Sequence, residues 1–192
     1  MVTSWSIEQT RQLRERVIQI VANSLVQPAD STDLVSSVVT QVEREGNLPY
    51  GHYVFGAHVL TPHLARTIEQ EGKHWISSIP GSQVVQWGGP WVQLEEVAAR
   101  LRHTTPKSFR PLRVLQGNEE TLSLWAFTKS TRLDAYGRKR LVIAHQRENC
   151  TDPPLLLFSS ALHWEAKRIL ELWPYRMDIS LFAEDTPHLQ DV

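Results

Sequence analysis

The segment "HYVFGAHVLTPHLARTIEQEGKHWISSI", His52 to Ile79, constrains the fold of this chain more than any other. It opens with aromatic and β-branched residues, which favour a strand through "HYVFGAHVL". Thr61-Pro62 then supplies a hydroxyl N-cap and a proline at the first helical position, a strong helix start. Leu64 and Ile68 fall on one side of that helix, and Gly72 ends it. "HWISSI" is strand-like again. Upstream, a helix from Asp33 carries Leu34, Val35, Val38, Val39 and Val42 and ends near Gly46. Further upstream, Ser6 to about Leu25 has Ile7, Leu13, Val17, Ile20, Val21 and Leu25 near helical spacing, with Ser6 as N-cap. Helix, strand, helix, strand predicts an α/β unit whose neighbouring strands run parallel.

The pattern changes after Pro80. "PGSQVVQWGGPW" is broken by glycine and proline, whereas "VQLEEVAARLRH" has the period of an amphipathic helix. "FRPLRVLQ" and "LSLWAFTK", joined by "GNEE", predict a hairpin, and "KRLVIAHQ" another strand. "LLLFSS" follows as a buried strand. "ALHWEAKRILELW" predicts a helix burying Leu162, Ile169 and Leu172, interrupted by Pro174. The stretch from about Pro80 to Asp152 is therefore expected to be a β-rich insertion in an α/β domain.

Composition excludes several classes. Hydrophobic residues make up 41% of 192, enough for a core and too many for a disordered chain. A net charge of −1 means that any polyanion site must be local. One cysteine, Cys150, rules out a disulfide framework within the chain and fits a reducing compartment. No apolar run reaches membrane-spanning length, and "MVTSWSIEQTRQLRERV" lacks a signal-peptide core. A cytoplasmic protein without membrane attachment is expected.

Local basic clustering occurs in "KSTRLDAYGRKR", where Lys129, Arg132, Arg138, Lys139 and Arg140 surround Tyr136. Phosphate contacts need this kind of density, and an aromatic ring can stack on a base. The same charges also suit a solvated hairpin. Lys73 and His74 could join that surface. Trp75, Trp125 and Trp164 lie in strand or helix patterns and are expected in the core; Trp87 and Trp91 suit either core or interface. His52, His58 and His63 match no spacing of a structural zinc site. Cys150 is an ordinary thiol.

Seven blocks together carry a resemblance. They are "TPHLARTIEQEGKHWIS", "WVQLEEVAARLRH", "SFRPLRV", "LWAFTK", "RLDAYGRKRLVIAHQ", "DPPLLLFSSALHWEAKRILELW" and "YRMDISLFAEDT". In order and spacing, from about Thr32 to Thr186, the chain resembles bacterial insertion-sequence transposases of the DDE type. That resemblance implies a partial RNase H-like domain over residues 31–192, residues 1–30 being a helical segment without a match. It also implies an ancestral function in DNA transposition.

Active members of such a family cut and join DNA with two Mg²⁺ ions held by three carboxylates. A late helix carries an arginine, the catalytic glutamate four residues on, and a lysine seven beyond. Arg176 matches the arginine, but the glutamate position is Ser180 and the lysine position is Pro187. A serine hydroxyl brings no charge, and proline brings no donor. The aspartate expected before the "LTP" helix start reads Gly56, with His58 and Val59 at the aromatic positions. The first aspartate is expected to be absent with the upstream strands. Glu184 lies one turn beyond Ser180, about 5–6 Å along the axis, too far to replace it; Asp178 points elsewhere. The chain is thus expected to be a truncated, inactive derivative with no cofactor. The alternative is a DNA-binding or transposase-interacting regulator, with DNA, full-length transposase or a second copy as partner. Its DNA-binding residues would be Lys129, Arg132, Arg138, Lys139, Arg140 and Arg176.

Overall fold

The computed structural model describes residues 31–44, 52–56, 59–116 and 120–175. The chain divides into two compact units, Met1–Pro49 with Asp178–Val192, and Tyr50–Met177. In the first, the described element is helix α1 (Ser31–Arg44), with Val35, Val38 and Val39 buried at helical spacing. Arg44 in its last turn faces the negative end of the helix dipole. The expected helix from Ser6 to Leu25 lies outside the described residues.

The second unit is mixed α/β. Its elements are β1 (His52–Phe55), α2 (Pro62–Gln70), β2 (His74–Ser78), β3 (Val84–Gln86), β4 (Trp91–Gln93) and α3 (Leu94–Thr104). β5 (Arg110–Gln116), β6 (Glu120–Leu133), β7 (Gly137–His145), β8 (Leu155–Ser159) and α4 (Ala166–Leu172) complete it. Among the described residues eight strands form one sheet in the order β1-β2-β8-β7-β6-β3-β4, with β5 on β6. β1 and β2 are parallel, Val54 opposite Ile76, as the strand–helix–strand pattern predicts. The other pairings are antiparallel.

The α2 start forms as its residues dictate. Thr61 is extended and its hydroxyl accepts the Leu64 N–H at 3.1 Å, with Pro62 beginning the helix. Gly72 then turns the chain at φ +69°, a conformation that other residues rarely adopt. α2 packs against β2, where Trp75 Nε1 donates to Glu69 Oε1 at 2.7 Å. Ile76 points the opposite way and joins a core with Val54, Val142, Leu157, Ala161, Trp164, Ile169 and Leu170. One sheet face is therefore covered by α2 and the other by α4, and alternation along β1 and β2 makes both strands apolar on both sides. Truncating Ile169 within that core costs about 2–5 kcal/mol.

The strands between Pro80 and Asp152 belong to the same sheet as β1, β2 and β8: β7 pairs directly with β8, and β8 with β2. Three expectations are corrected. "QVVQWGGPW" is not merely broken loop but a hairpin, β3–β4, because Gly88 and Gly89 at φ +63° and +121° allow the tight reversal. The helix expected from Ala161 spans only Ala166–Leu172. Ser159 Oγ accepts the Ala161 N–H and Trp164 N–H closes a turn on the Ala161 carbonyl, so Leu162 is left 37% exposed and Leu172 half-buried. The β1 strand ends at Phe55, and Val59 lies in a turn.

Candidate nucleic-acid interface

β6 and β7 are joined by a turn built from Asp134, Ala135, Tyr136 and Gly137. Asp134 Oδ1 accepts the Ala135 N–H at 3.0 Å, and Ala135 and Gly137 take φ +62° and +77°. Arg132 is directly opposite Arg138, and Ser130 opposite Arg140. Facing residues in an antiparallel pair point to the same side. Arg132, Arg138, Ser130 and Arg140 therefore share the α4 side of the sheet, since Arg140 is also opposite Ser159, and Ser159 opposite Ile76.

The five expected cations do not form one patch. Lys139 alternates to the other side. It is 6% exposed, ion-paired with Glu69 at 2.9 Å, and sits 5.7 Å from the centre of the Trp75 ring. Burial of an ammonium requires such a partner, which removes Lys139 from any outer surface. Lys129 also alternates to that side, but stays exposed with its ammonium 4.3 Å over the Trp87 ring. Arg140 donates to the Leu162 carbonyl. Arg132 and Arg138 remain exposed, and no carboxylate pairs with either among the described residues. Tyr136 is turned inward, its hydroxyl donating to the Leu60 carbonyl at 2.7 Å and its ring against Trp75.

The aromatic ring beside these arginines comes instead from β4. Trp91 is 52% exposed and lines a concave surface with Arg132, Asp134, Ala135 and Arg138. On the other side of the arginines a shallow cavity of about 320 Å³ is lined by Gly88, Gly89, Lys129 and Thr131. The β3–β4 hairpin fixes both walls: Trp87 N–H donates to the Pro90 carbonyl at 2.8 Å, and Thr131 Oγ1 to the Gln86 carbonyl. Two unpaired guanidinium groups between an exposed indole and a glycine turn can hold phosphate oxygens and stack a base. In the sequence the clue was the Gly-Gly pair, which places Trp91 on a strand; sequence spacing alone does not bring it beside Arg132.

Other expected positions are placed as follows. Trp75 and Trp164 are buried, whereas Trp125 is half-buried. Cys150 is buried, and burial pushes its thiol up from the ordinary value, so it is a weak nucleophile. Gly56 follows the end of β1 and offers no side-chain oxygen. His63 is exposed on α2, while His52 lies beside His74 of β2. Among the described residues no group of three His, Cys, Asp or Glu side chains is placed to hold a metal ion. Arg176, Asp178, Ser180, Glu184, Pro187 and His58 lie outside the described residues.

No protein-family model matches the chain, and no curated protein matches it.

Proposed function

We propose that this chain is a DNA-binding protein related to DDE transposases that does not cut DNA. The observation that carries the reading is the corner formed by Arg132, Arg138 and Trp91, exposed together at the end of the β6–β7 pair. The parallel β1–β2 pair joined through α2, extended by antiparallel strands, suits a partial RNase H-like domain. Loss of cleavage follows from Gly56 after β1 and from Ser180, neither of which supplies a carboxylate.

Fluorescence anisotropy of a labelled 20-base-pair duplex, titrated at 50 and 200 mM salt, tests the binding. Affinity should fall steeply with salt, as phosphate contacts release counterions. Arg132→Ala and Arg138→Ala should each weaken binding on all sequences and lower the salt slope by about 1. A folded protein that leaves anisotropy unchanged overturns the reading. Supercoiled plasmid incubated with the protein and Mg²⁺ should remain intact; nicking abolished by one substitution in the chain overturns the second half.

A further inference from the structure

Three histidines gather at the same end and on the same side of the sheet as the arginine corner. His52 is opposite His74 in the parallel β1–β2 pair, one alternation beyond Val54 and Ile76. Their rings stack with centroids 5.5 Å apart. His163, from the turn before α4, meets His74 at 5.4 Å. Trp164 is buried beneath, edge-on to His52 at 4.6 Å and to His74 at 5.3 Å. His52 and His163 are exposed and His74 is half-buried.

The strand register links this group to the arginines. Arg140 is opposite Ser159 and Ser159 opposite Ile76. Arg132 and Arg138 thus lie at the same end of the sheet as His74 and His52, with the turn that follows Ser159 between them. Ser160 ties that turn to β2: its N–H donates to the Trp75 carbonyl at 3.1 Å, and its hydroxyl accepts the Trp75 N–H at 3.0 Å. Leu162, whose carbonyl holds Arg140, is next to His163. Four strand steps of about 4.8 Å make a band roughly 19 Å long. That is more than half of one duplex turn, about 34 Å.

We propose that His52, His74 and His163 extend the arginine corner into a proton-dependent phosphate-binding band, so that the grip on duplex DNA tightens as pH falls. The inference rests on the DNA-binding reading above. The charged groups acting on the cluster are Arg168 of α4, stacked 4.5 Å over Trp164, and Glu69 of α2, whose charge reaches His74. Glu69 is engaged by Trp75 and Lys139. Burial first, then the other histidines and Arg168, hold His52 below its ordinary value. Burial and His163 do the same for His74, against a smaller opposing pull from Glu69. In the free protein His52 and His74 are therefore neutral near pH 7 and charge on acidification. A phosphate backbone laid along the band favours the charged rings, and by linkage proton uptake strengthens binding.

The test is the same duplex titration from pH 7.5 to pH 5.5 at constant ionic strength. The protein should bind at least about tenfold more tightly at the lower pH, with a steeper salt slope as phosphate contacts are added. The variant carrying His52→Asn, His74→Asn and His163→Asn should lose that gain, its affinity changing little between the two pH values. His63→Asn, on α2, should retain it. An equal pH gain in the triple variant overturns the band while leaving the arginine corner standing. Binding absent at every pH overturns both. Should the triple variant fail to fold, NMR titration of the histidine rings in the unaltered protein decides. Added duplex should raise the midpoints of these three rings and not that of His63; unchanged midpoints sink the proposal.

Discussion

The ammonium of Lys139 on β7 meets both carboxylate oxygens of Glu69 on α2, at 2.9 and 3.1 Å, beside the Trp75 ring. It joins β7 to the helix that covers β2. Removing one partner leaves a charge at a site with little water. Lys139→Ala should lower unfolding free energy by about 2–4 kcal/mol, reduced from the value for a fully buried pair because Glu69 is about one-third exposed. Glu69→Ala should also destabilise, and the double variant by less than the sum. Urea unfolding of the three variants measures the coupling; strictly additive losses would show that the contact is energetically idle.

Because Lys139 points inward and Arg132 and Arg138 outward, charge removal should sort the three. Lys139→Met should change stability while leaving the salt slope of DNA binding alone. Arg132→Ala and Arg138→Ala should change the slope and barely change stability, since both are exposed. A Lys139→Met variant that is folded yet binds with a reduced slope contradicts the observed placement.

Asp152 shapes the acid limit. Burial by itself pushes its carboxyl up. The N–H groups of Gln146 at 2.7 Å and Arg147 at 3.1 Å, its own N–H and nearby His145 outweigh that and hold it below the ordinary carboxylate value. A carboxylate with a depressed folded value stabilises at pH above its unfolded value of 3.8 and loses that contribution as pH falls through the folded one. Asp152→Asn should therefore melt lower at neutral pH and show a shallower decline below about pH 4. Parallel melting curves across that range would exclude the role.

The histidine cluster adds a loss of the same sign at milder pH. His52 and His74 have folded values below the unfolded 6.5, so the unfolded chain binds more protons as pH drops through that range. Stability should decline from pH 7 toward pH 5.5, and duplex DNA should restore part of it. Calorimetric melting with and without DNA reads both effects.

Thr61→Ala tests a local device. The lost hydroxyl cap on α2 should cost about 1 kcal/mol, and Thr61→Ser should recover most of it. Chemical denaturation of the two variants suffices.

Much of the fold was legible where local chemistry decides. Thr61-Pro62 and Gly72 bracket α2 closely, and the β-branched and aromatic residues of "HYVF" and "HWISS" give the parallel pair. Side-chain direction was less legible. The run Arg138-Lys139-Arg140 is a single basic cluster as text, but strand alternation sends Lys139 to Glu69, a partner 70 residues away. Trp91 was left between core and interface, and His74 was offered to the basic surface without His52 or His163, for the same reason. Their neighbours come from pairings across β3, β4, β1 and β2 that no short window contains. The start of α4 was misjudged because Leu162 fits the helical period, while the hydroxyl of Ser159 commits the chain to a turn first.

β6 is bonded along its length: to β5 from Glu120 to Ala126, to β7 from Trp125 to Leu133, and to β3 at Leu133. Its ends lie roughly 43 Å apart at about 3.3 Å per residue. Arg132 thus sits near the tip of a long, braced lever. A load on that guanidinium is carried by backbone bonds to neighbouring strands, and the corner can hold a stiff polymer without a hinge of its own.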